Sequence, residues 1–231
     1  MHAAGREGGG IIATPGETMK NNSKPAFFRA LTMLFVLLAL GACKSNENKP
    51  EESGKPTVAE ARKDAYVRTG YACCNLHYDG DWVSDSNLAQ LPFIPVGTPI
   101  KVKKIDGYRA YVEVDGKAMR LGHDYGRAQE STEQWVSKLV VLNDPKLAMA
   151  RFSPAVRNAI EAGKLLKGMT KDQVIMAVGY PQTNENPKLD GPYWRYWWSS
   201  FGPYYVYWSG NKVKKIDGHS ETVGYMTYKN K

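Results

Sequence analysis

The sequence predicts an α+β protein in which a small β-rich unit precedes a unit of two helices and a three-stranded antiparallel sheet. Three observations carry this reading. Between residues 100 and 121, short alternating runs are separated by Asp106-Gly107 and Asp115-Gly116. Between 153 and 181, cap and stop residues bracket two helix-length segments. Between 193 and 216, aromatic runs of strand length are joined by Ser209-Gly210-Asn211. Helices followed by an antiparallel sheet bury their apolar faces best as two layers.

The chain has 231 residues, 42% of them hydrophobic and 23% charged, with 31 basic and 23 acidic side chains giving a net charge of +8. This composition excludes global disorder and collagen-like repeats, and one short apolar run excludes a polytopic membrane protein.

That run, Ala30 to Ala42, contains no charge and follows Lys20, Lys24 and Arg29. As a helix its thirteen residues would cover about 20 Å, short of the ~30 Å hydrocarbon core. It reads as the hydrophobic region of a signal peptide. It ends in Leu40-Gly41-Ala42-Cys43, which resembles a bacterial lipobox. The resemblance implies cleavage before Cys43 and lipidation of that residue. Lys44 follows the cysteine, and by the sorting pattern of such lipoproteins it implies the outer membrane, on the periplasmic side. Met19-Lys20 opens a signal peptide of ordinary length, so residues 1–18 are expected to lie upstream of the true start. Loss of residues 1–42 leaves 27 basic and 21 acidic residues.

Residues 43–65 form the anchor and its tether. Lys44 to Pro56 has no large apolar residue and cannot offset the cost of ordering, so it reads as a flexible spacer of about 43 Å when extended. Thr57-Val58-Ala59-Glu60 matches a capping box for a short helix.

Residues 66–145 make the β-rich domain. Ile100–Ile105, Tyr108–Val114 and Lys117–Leu121 form a meander, because Asp-Gly between alternating runs signals hairpins whose turn positions need positive φ. Pro92 to Pro99 suits a loop or an edge. Ser131 to Val136 fits one helical turn, and Lys138 to Leu142 fits a closing strand. A meander, a short helix and a closing strand resemble a small Src-homology-3-like barrel.

Residues 150–220 make the second domain, and 221–231 read as a tail. Ser153 caps a helix with Pro154 at its first position and Gly163 at its stop. Thr170 caps the next, Gln173 completes a capping box and Gly179 ends it. Tyr193–Trp198, Tyr204–Trp208 and Lys212–Ile216 are the strands. The heptamer Lys-Val-Lys-Lys-Ile-Asp-Gly occurs at 101–107 and 212–218 and reads as two strands ending in the same turn chemistry.

The pattern Gly168-Met169-Thr170, Gln173-Val174, Gly179, Pro181 and Trp194-Arg195-Tyr196 resembles the BamE/SmpA/OmlA family of small outer-membrane lipoproteins. The resemblance spans about residues 153–218. It implies a non-enzymatic scaffold or interaction role, in partnership with the machinery that inserts β-barrel proteins. In that family the domain follows its anchor closely, whereas here about 110 residues intervene.

The adjacent Cys73 and Cys74 leave two readings open. They are a structural pair, whether a vicinal disulfide or one buried and one edge thiol, or they are a thiol-redox site. Cys74 and His77 have ligand spacing with Asp79 and Asp81 nearby, but no second cluster completes a metal site. No nucleophile elbow, Walker sequence, dinucleotide fingerprint or His-Glu-x-x-His is present, so neither an enzyme nor a cofactor is expected. His123 and His219 read as surface or hydrogen-bonded residues. The four tryptophans and five tyrosines of Tyr193 to Trp208 exceed what one buried face needs, and Trp197, Trp198, Tyr205 and Tyr207 are the partner-binding candidates. Lys101, Lys103, Lys104, Lys212, Lys214 and Lys215 suit anionic lipid or acidic partners, and export argues against nucleic acid. Peptidoglycan contact through the β-rich domain is the rival binding role.

Overall fold

Period-two burial builds the first half of the fold. The computed structural model describes residues 68–229; the apolar run, Cys43, the tether and the 57–60 capping box lie outside them. In chain order come strands β1 (Arg68–Ala72), β2 (Leu76–His77), β3 (Trp82–Ser84), β4 (Phe93–Ile94), β5 (Pro99–Asp106), β6 (Arg109–Val114) and β7 (Lys117–Gly122). Helix α1 (Thr132–Leu139), strand β8 (Val140–Val141) and the one-turn helix α2 (Lys146–Met149) follow. The second half has helices α3 (Pro154–Glu161) and α4 (Lys171–Val178), strands β9 (Tyr193–Trp197), β10 (Pro203–Ser209) and β11 (Lys212–Gly218), and helix α5 (Ser220–Met226). The fold is therefore mixed, with helices set against several sheets.

One sheet runs β3-β7-β6-β5-β1-β8 and curls into a half-barrel. Its pairs are antiparallel except β3 with β7. Ile100, Val102, Val112 and Leu121 face inward, and Trp135, Val136 and Leu139 of α1 close over them. On the outer face the Trp82 indole lies against Gly122, where a Cβ would come within 2.0 Å of the ring. Arg109 and Arg120 lie 4.6 and 5.1 Å from that ring, and each is paired with a carboxylate, Asp124 and Asp81 respectively.

The β6–β7 turn is Asp115-Gly116, with both residues at positive φ (49° and 76°), as its sequence requires. The preceding turn falls one residue later than expected. Asp106 stays in the ladder opposite Arg109, and Gly107 (φ 56°) and Tyr108 make the turn. The cause is upstream, where a register shift between Val102 and Lys104 leaves Lys103 without its own partner. Val102 and Ile105 are three residues apart, so strict alternation would put them on opposite faces. A one-residue bulge brings both to the core.

The second copy of the heptamer does the same in another sheet. Val213 pairs with Trp208 and Lys215 with Tyr207, so Lys214 is the extra residue and Val213 and Ile216 both pack on the core. The ends differ, however. Gly218 leads through extended His219 into α5 rather than into a hairpin turn.

Helix α1 is longer than one turn and the following strand correspondingly shorter. Ser131 and Gln134 form a reciprocal capping box, and burying Leu139 alongside Trp135 and Val136 requires helical spacing through residue 139. Only Val140 and Val141 remain to pair with β1.

In the second half the caps stand where the sequence puts them. Ser153 accepts from the Val156 amide with Pro154 behind it, and Thr170 and Gln173 cap each other's backbone. Gly163 (φ 63°) and Gly179 (φ 79°) take the positive φ that side-chain-bearing residues rarely adopt, at the points where these helices end. The sheet β11-β10-β9 places Trp194, Tyr196, Tyr204 and Val206 against Ile160, Val174, Ala177 and Val178. The Tyr196 and Tyr204 rings stack at 5.5 Å, and Trp194 meets Trp208 edge-on at 4.5 Å. The stretch read as a tail contributes α5, whose Met226 is buried in this core, and main-chain bonds tie Leu165 to Met226 and Tyr228.

The described residues all belong to one compact unit. Ile175 packs against both hydrophobic cores. Among these residues no helix is long and apolar enough to cross a membrane.

Candidate functional site

Because β9 and β10 alternate, the residues opposite the buried aromatics share the other face of the small sheet. The register sets Tyr193 beside Tyr207 and Lys215, Arg195 beside Tyr205 and Asp217, and Trp197 beside Pro203. Tyr193 is 46% exposed, and Trp197, Tyr205 and Tyr207 are half-buried. The Tyr193 ring lies 5.7 Å from that of Tyr205 and 5.5 Å from that of Tyr207.

Charge on this face is balanced locally. The Arg195 guanidinium lies 4.3 Å from the Trp197 ring, and Glu185 holds both, accepting from the Trp197 indole N–H at 2.8 Å and pairing with Arg195 at 3.5 Å. Lys215 pairs with Asp217 at 3.0 Å and lies 5.8 Å from the Tyr207 ring. The outcome is a layer of tyrosine and tryptophan with paired charges at its margins, which suits a surface that must be both wetted and covered.

Three of the four candidates, Trp197, Tyr205 and Tyr207, lie together here. Trp198 lies elsewhere. By alternation it follows Trp194 and Tyr196, packs at the edge of the second core and stacks on Tyr225 of α5 at 4.8 Å. Tyr193 and Arg195 complete the open face, and counting back by twos from Trp197 would have found them. Phe201, at the β9–β10 turn, is 95% exposed.

The outer edge of β9 is closed. Asn186 accepts from the Arg195 amide and donates to its carbonyl, at 2.8 and 3.0 Å. The amides of Ala89 and Gln90 donate to the carbonyls of Trp197 and Trp198.

Comparison with protein-family models, curated proteins and solved structures finds no match to this chain.

A second cluster lies where the two cores meet. Cys73 and Cys74 are joined as a disulfide; Cys74 is wholly buried and Cys73 is 8% exposed. Asn75 follows. Its side-chain amide donates to the carbonyls of Ile160 (2.7 Å) and Ala177 (2.9 Å), and its oxygen accepts from the Val96 amide (3.0 Å). Asn87 acts in parallel, donating to the carbonyls of Val178 and Tyr180. Since both Asn87 donor hydrogens are used, its oxygen faces His77 Nδ1 as acceptor at 3.0 Å, and Nδ1 carries the proton. Burial pushes the His77 pKa below its ordinary 6.5, against the Asn87 hydrogen bond, which raises it. Nothing in the sequence marked these two asparagines, because a polar residue that joins distant segments has no local signature.

His123 is wholly buried and stacks on Trp135 at 4.9 Å. Its Nδ1 meets Asp85 at 2.9 Å, and the same carboxylate accepts from the amides of Asp124, Tyr125 and Gly126. This arrangement shapes the 123–126 loop. His219 is exposed at the start of α5.

Cys74 is committed to the disulfide, and Asp81 is bound bidentately by Arg120, whose hydrogen bonds hold that carboxyl below its usual range. Among the described residues no three His, Cys, Asp or Glu side chains stand together as a metal site. The six lysines are exposed on two different sheets, and Lys103, Lys104 and Lys215 each have a carboxylate within 4 Å.

Proposed function

We propose that this chain is a lipid-anchored lipoprotein of the outer membrane, facing the periplasm, that acts as a non-enzymatic interaction module. Its partner docks on the open face of β9, β10 and β11. The observation that carries this reading is the continuous layer of Tyr193, Trp197, Tyr205 and Tyr207, with its charges already paired. Aromatic residues of this kind anchor protein interfaces, and paired charges lower the cost of covering them. The lipobox-like Leu40-Gly41-Ala42-Cys43 supports the anchor. The likeness of residues 153–218 to BamE-type proteins supports a partner in β-barrel assembly and a two-helix domain there, while the β5-β6-β7 meander with α1 and β8 supports an Src-homology-3-like domain before it. The cysteine pair, almost wholly buried, suits a structural bond better than a catalytic one.

Photocrosslinking residues placed at 193 and 205 in the full chain, in growing cells, should capture a component of the β-barrel assembly machinery. The same residue at 117, on the other sheet, should not. Tyr205→Ala with Tyr207→Ala should abolish the capture while leaving the folded CD spectrum intact. Retention of the intact chain by isolated peptidoglycan, unchanged by these substitutions and without a protein crosslink, would overturn this reading in favour of cell-wall binding.

A further inference from the structure

We infer that the Cys73–Cys74 disulfide is a redox-responsive hinge, and that its reduction by a dithiol releases the Asn75 staple between the two cores. The covalent geometry of the segment is the starting point. A bond between adjacent cysteines closes an eight-membered ring through their own peptide and holds both sulfurs on one side of the chain. In an ordinary extended strand, successive side chains point to opposite faces. Opening the ring lets residues 73 and 74 return to that alternation, and the next residue along turns with them.

That next residue is Asn75, and this short stretch makes contacts out of proportion to its length. The Cys73 amide donates to Leu139 at the end of α1, and the carbonyl of Ala72 accepts from Gly97. The Asn75 amide donates to Met176 in α4. Its side chain then reaches the last turns of α3 and α4 through Ile160 and Ala177, and holds Val96 besides. A rotation at residues 73–74 cannot preserve all of these at once, because they run to four separate segments.

The exchange chemistry is balanced. A thiolate of the incoming dithiol attacks the Cys73 sulfur, since Cys73 keeps some exposure and Cys74 none. The Cys73–Cys74 bond breaks, and Cys74 leaves as a thiolate that takes a proton from water. The second thiol of the reductant then attacks the mixed disulfide, releasing the Cys73 thiol and the oxidised dithiol. Two electrons and two protons pass to the pair, and an oxidising partner of the same chemical class reverses the step.

The test uses the full mature chain in detergent, with and without dithiothreitol. The peptide 69–101 contains both cysteines and no internal Lys or Arg, so trypsin isolates the pair for mass analysis after iodoacetamide. Two adducts are expected after reduction and none before. Hydrogen exchange at residues 160–163 and 177–179 should be about tenfold faster in the reduced chain, the change expected for one lost buried hydrogen bond. Cys73→Ser with Cys74→Ser should match the reduced chain and ignore dithiothreitol. Two adducts with unchanged exchange would overturn the inference, and so would failure of dithiothreitol to reduce the folded chain. Both readings come from the unaltered sequence and stand even where the double variant does not fold.

Discussion

Replacing Asn75 by alanine should weaken the fold well beyond what one surface asparagine would. The side chain is buried and serves three main-chain groups, but these are not equally exposed to its loss. The Ile160 carbonyl keeps a bond from the Gly163 amide. The Val96 amide and the Ala177 carbonyl depend on Asn75. A buried polar group left without a partner costs about 1–3 kcal/mol, so two give about 2–6 kcal/mol. Whole domains are stable by about 5–15 kcal/mol, which makes the effect a large fraction of the total. Urea unfolding, followed by tryptophan fluorescence and far-UV CD, would measure it as a shift in midpoint at unchanged slope. Asn75→Asp keeps the acceptor for Val96 but turns a carboxylate toward two carbonyls, and should be no better than alanine. A loss below about 1 kcal/mol for Asn75→Ala would refute the claim that this residue staples the two cores.

Gly122→Ala should cost about 1–3 kcal/mol by pushing the Trp82 indole away from its contacts with Arg109 and Arg120, and Trp82→Ala in the same chain should recover most of it; near-UV CD and urea titration report both. His77 is lowered by burial, so the unfolded chain binds its proton more readily. The stability it contributes is full above about pH 6.5 and falls as the pH drops below that toward the lower folded value; His77→Gln should flatten thermal stability against pH over this window. Thr170→Ala removes the cap of α4 and should cost about 1 kcal/mol, with Thr170→Ser restoring it, as read by thermal denaturation.

Legibility in the sequence followed the range of the interactions. The starts and ends of α3 and α4 were readable because Ser153, Thr170, Gln173, Gly163 and Gly179 act within a few residues of themselves. The β5-β6-β7 meander was readable for the same reason. The displaced turn at 107–108 shows the limit of that logic, since the Lys103 bulge sets the register and the turn follows it. The parallel pairing of β3 with β7 and the place of β1 between β5 and β8 depend on contacts between segments far apart in sequence, and no local pattern encodes them. On the open sheet face, alternation groups Trp197, Tyr205 and Tyr207, and the same period places Trp198 with Trp194 and Tyr196 on the core side. The adjacent cysteines were visible as a pair, whereas the asparagine beside them, which gives the pair its reach, was not.

The closure of β9 by Asn186 and the 89–90 segment bears on how this molecule can be addressed. A strand rich in aromatics with a free margin would accept nearly any extended chain, because main-chain donors and acceptors are common to all sequences. Here that generic route is already occupied from within. In the docking proposed above, a partner would meet side chains instead of backbone along β9, and side chains discriminate. For that proposed docking, the closure of β9 leaves recognition to the shape and hydroxyl placement of the aromatic face rather than to strand addition along this edge.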